Sequence, residues 1–436
     1  MKKKVMIATI FAVLMLMTPL ITAVESVNKT NTELIISNSE ETTIPGSFLG
    51  ILDCEEGHMV EQTDDGGYII IGDFGEFNPH GVGLTKLNAE GGKQWEKTYS
   101  GRFGFGVQQT SDGGYIIAAS DESYPKGIVL IKTDDEGEIE WRNSYEGQFW
   151  NCHYGDRIVQ QTNDGGYIVT GRTSEEYAVA LLIKTDANGN EEWRKDYGFG
   201  FRNIGKSVQQ TDDNGFIVLA DGYTSTPDWC KIFLIKTDNY GNIEWNKTFS
   251  GSGNLYASSI QQTNDGSYIF SGGDGFEGWI TKTDEDGNIE WNKNLVDYNC
   301  DRAWSVQQTS DNGFIVTGGR RIDFFYATYV VLIKLDENGI VEWNKTFIYE
   351  PPGHTSDGYC VRQTTDGGYI ITGVYYFGEI ILSQKLLVIK TDENGNMEWQ
   401  LSRPNALSGQ PNSQLLQRLS QQLPNAFPIL RQLLGL

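Results

Sequence analysis

The chain has 436 residues and a formal net charge of −24, set by 34 Lys and Arg against 58 Asp and Glu. Such an acidic body repels nucleic acid and anionic membranes and stays soluble, so a nucleic-acid-binding role is excluded. Five cysteines, Cys54, Cys152, Cys230, Cys300 and Cys360, show no CxxC spacing and no common period, which excludes a zinc ribbon and a disulfide framework. One or two disulfides remain compatible with that count, with at least one thiol left over.

At the N-terminus, Lys2, Lys3 and Lys4 precede an apolar run that ends in small and polar residues near Ala23 to Ser26. This three-part layout predicts a secretory signal over residues 1–26, and the alternative is an uncleaved membrane anchor. No cysteine follows the run closely, so a lipoprotein is not expected. Losing three lysines and Glu25 with the signal takes the formal charge from −24 to −26. A secreted or cell-surface location follows. Asn28, Asn246 and Asn344 each begin an NxT sequon and are glycosylation candidates, although two of them sit in a repeated WNKT segment.

From residue 58 onward one unit recurs seven times. It opens as VQQTSDGGYI, passes through a strand ending IKTD, and closes as GNIEW. The closing tryptophans are Trp95, Trp141, Trp193, Trp245, Trp291, Trp343 and Trp399, spaced 46, 52, 52, 46, 52 and 56 residues apart. That period belongs to propeller blades rather than to helical solenoids. Within each unit, four short segments rich in β-branched and aromatic residues are separated by Gly and Asp clusters, so each predicts a strand. The second and third segments are nearly continuous apolar runs, as expected of strands covered on both faces. The expected fold is an all-β, seven-bladed β-propeller of four-stranded antiparallel blades over residues 58–403.

The two repeated turns have structural duties. TSDGGY supplies glycines and an Asp that bonds its own turn. TDENGNMEW, with Asp392, Asn394, Gly395 and Asn396, superficially looks like a calcium loop but lacks the distal acidic ligand of an EF-hand. A hairpin turn is the expected reading, with calcium the lesser alternative.

These blades resemble those of secreted bacterial and archaeal cell-surface propellers, which read SDGGYIIAG, LIKTD and GNxxW. The spacing of Asp134, Gly137 and Trp141 is similar to a shortened tryptophan-docking motif of quinoprotein dehydrogenases. That resemblance implies a blade-stapling role for the seven repeat tryptophans and no quinone, because the paired adjacent cysteines of many such enzymes are missing. The TSDGGY turn is also similar to the sialidase Asp-box, with its aromatic two positions early.

The ends depart from the repeat. After Trp399 the unit lacks its usual strand ending, so the 27–57 segment is expected to close the last blade through Leu34 to Ile36 or Phe48 to Leu52. Residues 404–436 turn to Pro, Ser, Gln and Leu, with Leu415, Leu416, Leu419 and Leu423 at helical spacing. This appendage predicts an amphipathic segment that docks on a partner, a membrane surface or the propeller itself, or folds back as a loose tail. The propeller is expected to be monomeric.

Alternating strand direction places both repeated turns on one face and the variable connections on the other. Insertions collected on one face of a repeat protein mark its binding face. All four histidines, His58, His80, His153 and His354, and the four tryptophans outside the repeat, Trp150, Trp229, Trp279 and Trp304, fall in or beside those segments. Exposed aromatics beside Arg and Asp suit sugar stacking or a protein anchor. The ligand-binding candidates are Trp150, His153, Tyr154, Arg157, Trp229, Asp301, Arg302, Trp304 and His354.

No GxSxG, HExxH, CxxC or phosphate loop is present, and no catalytic residue, metal or cofactor is expected. A zinc or manganese site of His58, His80 and His354 is the one metal arrangement considered, and scattered histidines lack ligand spacing. The leading expectation is an exported, non-catalytic propeller binding a glycan or a cell-surface protein. A polysaccharide lyase or hydrolase using the same face, or a structural surface component, are the alternatives.

Overall fold

A computed structural model of the chain describes residues 54–401 apart from the segments 75–80, 122–126, 150–156, 175–177, 200–201, 224–229, 251–254, 322–327, 348–354 and 378–382. All of these lie in the compact unit Asn38–Leu436. The signal, the N-terminal segment up to residue 53 and the C-terminal appendage lie outside the described residues, as do Trp150, His153, Tyr154, Trp229, His80 and His354.

The described strands, β1 to β28 in chain order, form seven four-stranded antiparallel sheets: β1–β4 (54–99), β5–β8 (104–145), β9–β12 (159–197), β13–β16 (202–250), β17–β20 (256–294), β21–β24 (302–347) and β25–β28 (355–401). The chain therefore folds as a seven-bladed β-propeller. In each blade the strands follow chain order, and the fourth, such as Ile139–Tyr145, is largely exposed while the second and third are buried. Apolar clusters lie between neighbouring blades rather than within one, because a single sheet cannot bury either of its faces alone.

Each closing tryptophan lies against the next blade. Trp95 meets Tyr115 with ring centroids 5.9 Å apart, Trp245 meets Tyr268 at 5.8 Å, and Trp343 meets Tyr369 at 5.9 Å. The same ring covers the glycine of that blade's second turn. Gly287 has φ +77°, and a Cβ there would come within 2.7 Å of the Trp245 ring. Glycine is required twice over, for its backbone and for its missing side chain. The Asp of this turn serves the backbone: Asp392 Oδ1 accepts from the N–H groups of Asn394 and Asn396 at 2.9 and 2.8 Å.

The repeated lysine is buried and bridges the first turn to the fourth strand. Lys236 Nζ lies 2.7 Å from Asp213 and 2.8 Å from Glu244, and the other blades repeat this arrangement, with Gln94 replacing the Glu beside Lys86. The Gln-Gln pair links blades in both directions. Gln109 Oε1 accepts from Asp64 N–H in the preceding blade at 2.8 Å, and Gln108 Oε1 accepts from Gln161 N–H in the following one at 2.6 Å.

The ring closes through the same contacts. Trp399 packs on Tyr68 at 5.9 Å, Gln62 Oε1 accepts from Thr365 N–H at 2.7 Å, and Cys360, Ile370, Leu386 and Val388 share a buried cluster with Val60 and Ile69. The N-terminal strand expected to complete the last blade, Leu34 to Ile36 or Phe48 to Leu52, lies outside the described residues. Among the described residues the seventh blade has four strands within 355–401, with Met397–Leu401 as the fourth without the NKT ending. Cys230, Cys300 and Cys360 are buried.

Candidate functional site

The inner strands carry an irregularity that the repeat pattern does not announce. In β1 (Cys54–Gln62), β5 (Gly104–Gln109), β13 (Arg202–Gln210), β17 (Tyr256–Gln262), β21 (Arg302–Gln308) and β25 (Thr355–Gln363), the pairing with the second strand skips one residue at the same level. The skipped residues are His58, Phe105, Lys206, Ser258, Trp304 and Tyr359. Bulges of this kind re-aim side chains and recur beside functional sites. The level is two residues before the repeat's Val or Ile, at the end of the strand that joins the variable connections.

Four of these residues, Trp304, Tyr359, His58 and Phe105, form a belt with Tyr256 across five blades. Tyr256 and Trp304 have centroids 5.2 Å apart, Trp304 and Tyr359 6.3 Å, Tyr359 and His58 6.4 Å, and His58 and Phe105 6.3 Å. Trp304 donates its Nε1–H to Asp357 Oδ1 at 2.9 Å, and Arg302 stands 5.8 Å above the same indole with Nη1 3.8 Å from Asp357 Oδ2. Burial pushes the Asp357 carboxyl up to about 7, against the opposing pull of Arg302 and the indole N–H, and Glu56 adds to the rise. Gly319 makes room for it, because a Cβ there would overlap the carboxylate.

At the first-to-second blade boundary, His58 Nε2 faces Asp73 Oδ2 at 3.5 Å and Glu56 Oε2 at 3.8 Å. Burial alone would lower its pKa. The surrounding carboxylates, Asp73 foremost, and the Gly104 carbonyl raise it instead to about 9.

Blade five adds a second set of groups. Tyr256 and Trp279 pair with Gly273 and Gly272 from opposite sides, and side chains on these glycines would collide with the two rings. Among the described residues, the buried Tyr256 Oη, Trp279 Nε1, Ser258 Oγ and Ser271 Oγ find no hydrogen-bond partner. Such groups in a native fold call for an ordered water or a ligand. Phe276, on the connection between this blade's second and third strands, is 71% exposed.

Of the sequence candidates that are described, Arg302 and Trp304 meet at one place, whereas Arg157 sits in the third blade with φ 57° and its carbonyl accepts from Val208 N–H. Asp301 stands beside Arg302 with its N–H donated to Gly319 O at 3.0 Å. Trp304 departs from the expected exposed platform: it is 5% exposed, because its N–H has a buried carboxylate to bind and two tyrosines enclose its ring. Tyr256, Phe276, Asp357, Glu56 and Asp73 were not among the candidates. The available signal was Asp73 and Asp221, which stand where other blades carry Ser120, Arg172, Gly273, Gly319 and Val374.

Trp304→Phe should keep the ring contacts and strand the Asp357 oxygen. The expected loss is about 1–3 kcal/mol of unfolding free energy, measured by urea titration.

No protein-family model matches the chain, and no curated protein sequence does. Among solved structures it is similar to the Dos1 propeller, at 10% identity over 81% of this chain and 85% of that one, with a TM-score of 0.49. YCF48 bound to D1 peptide gives 11% identity over 78% of this chain and 95% of that one, with a TM-score of 0.44. A Bacteroides caccae protein of unknown function gives 13% over 64% and 93%, with a TM-score of 0.43. Likeness at this level speaks to the fold alone.

Proposed function

We propose that the protein is an exported, non-catalytic propeller that binds a glycan through the face bearing its variable connections, centred on blades five and six. The observation that carries this reading is the combination in blade five of aromatic rings with unpartnered buried polar atoms: Tyr256 Oη, Trp279 Nε1, Ser258 Oγ and Ser271 Oγ. Next to them stand the exposed Phe276 and the partly exposed Arg302. A sugar ring offers an apolar face to aromatics and hydroxyls that both donate and accept, which is the complement of this set. The opposite face consists of turns whose polar groups already serve the blades. A surface protein bound at the same face is the other form of this reading.

The test is a glycan and polysaccharide array with the full chain, repeated with Phe276→Ala and Trp279→Phe. Binding weakened at least about tenfold by either substitution supports the reading, since one such contact contributes about 1–2 kcal/mol. Silence across the array, or hits that neither variant changes, would reject it.

One observation favours an enzyme instead. Asp357, with its carboxyl near 7 and Arg302 beside it, has the character of a general acid for polysaccharide cleavage. Release of fragments from an array hit, abolished by Asp357→Asn, would move the protein to that class.

A further inference from the structure

We propose that Glu56, His58 and Asp73 form a binding site for one divalent transition-metal cation, Zn2+ by its donor set, at the boundary of the first and second blades. The site is independent of the glycan reading. One imidazole nitrogen and two carboxylate oxygens, all within 4.8 Å of one another, converge here, and His58 and Asp73 are buried. Three protein ligands with further positions left for water or a bound group are the layout of a non-structural zinc site.

The geometry favours coordination over a plain ion pair. Charge-assisted N–H···O contacts close to about 2.7–2.9 Å. His58 Nε2 instead stands 3.5 and 3.8 Å from Asp73 Oδ2 and Glu56 Oε2. Two ligands of a tetrahedral metal with bonds of about 2.1 Å lie about 3.4 Å apart. The observed separations sit near that edge length.

The far sides of both buried ligands are fixed by a single residue of the next blade. Gly104 donates its N–H to Asp73 Oδ1 at 3.0 Å, and its carbonyl oxygen accepts from His58 Nδ1 at 2.5 Å. With Nδ1 as the donor, Nε2 and Oδ2 are the atoms turned toward each other. Metal-bound histidines and carboxylates are oriented by outer partners in this way.

Charge points in the same direction. Two carboxylates, one buried and one partly buried, face a single imidazole, so the set carries net negative charge away from bulk water. A divalent cation with a neutral imidazole brings the three-ligand set to zero, removing that penalty. The expected histidine trio is not the set assembled here. His58 finds its partners in Glu56 on its own strand and Asp73 on the adjacent one, and His80 and His354 lie outside the described residues.

The test is Zn2+ binding to the full chain after chelator treatment, read by equilibrium dialysis, with Co2+ as a spectroscopic substitute. The expected result is one tightly held equivalent, with affinity falling at least about tenfold in His58→Gln and in Asp73→Asn. X-ray absorption of the Co2+ form of the unmutated chain should show a single imidazole among oxygen donors, a readout that survives if either variant fails to fold. An all-oxygen environment, several weak equivalents spread over the acidic surface, or binding unchanged in both folded variants would overturn the proposal.

Discussion

Trp399→Ala is expected to lower the unfolding free energy by about 3 kcal/mol, the cost of removing a large ring from a packed site. Its position makes the substitution more informative than its size. Trp399 holds the seventh blade on Tyr68 and Gly91 of the first, a boundary joined by side chains and not by a linking loop. Trp245→Ala removes the same contact between blades four and five, which remain tied by the chain. Both variants should lose comparable equilibrium stability in urea. Hydrogen exchange should separate them: Trp399→Ala should accelerate exchange in β1 and β25, and Trp245→Ala should not. Equal exchange in the two variants would mean that the closing boundary bears no special burden.

The second large effect is an acid transition built from the repeated lysine bridges. Partial burial on its own would raise the carboxyls of Asp65, Asp265 and Asp311, but their lysine partners and hydrogen bonds from a threonine and a backbone N–H outweigh it and hold each near 2. Asp112, Asp164, Asp213 and Asp366 are lowered by the same groups. A carboxyl depressed in the folded state contributes stability that is complete above its unfolded pKa of about 3.9 and is lost as pH falls toward the folded value. These carboxylates are more than half exposed, so solvent screening reduces each pair to about 0.5 kcal/mol. Over seven blades the loss should amount to roughly 3–4 kcal/mol between pH 4 and 2. Thermal unfolding across that range should show a steep fall below pH 4, and a flat profile there would count against the bridges. Lys236→Met should remove about one seventh of the slope.

The propeller was legible in the sequence because its structural residues are written seven times. A tryptophan, a turn glycine and two apolar strands recur at fixed offsets, and repetition separates their duties from chance. Two repeated features were visible without being understood. The lysine of IKTD looks like a surface residue until its aspartate, 20 or so positions earlier, and its glutamate, eight later, are brought onto it by the hairpin pairing. The Gln-Gln pair reads as the polar end of a strand, yet both amides reach across to neighbouring backbones.

Less of the candidate site could be read, for a physical reason. Its residues occur once each, and a β-bulge leaves no mark on hydrophobic alternation when the bulged strand is buried on both sides. His58, Lys206 and Trp304 occupy equivalent positions in different blades, but nothing in their local sequence says so. Trp304 shows the opposite error. An aromatic outside the repeat suggested exposure, whereas Asp357, 53 positions later, supplies the acceptor that lets the indole sit inside. The sequence also hid Gly104, whose single peptide group orients two side chains from another blade.

Closure of the ring by the same contacts that join every other pair of blades has a thermodynamic meaning. In a linear repeat array each end unit has one neighbour, and unfolding begins there because only one interface is lost. Here the first blade meets the seventh through Trp399, Gln62 and a shared apolar cluster, so every blade has two neighbours. Unfolding any blade must break two interfaces at once. The array has periodic boundaries in place of caps, and its cooperativity comes from having no terminal repeat to fray.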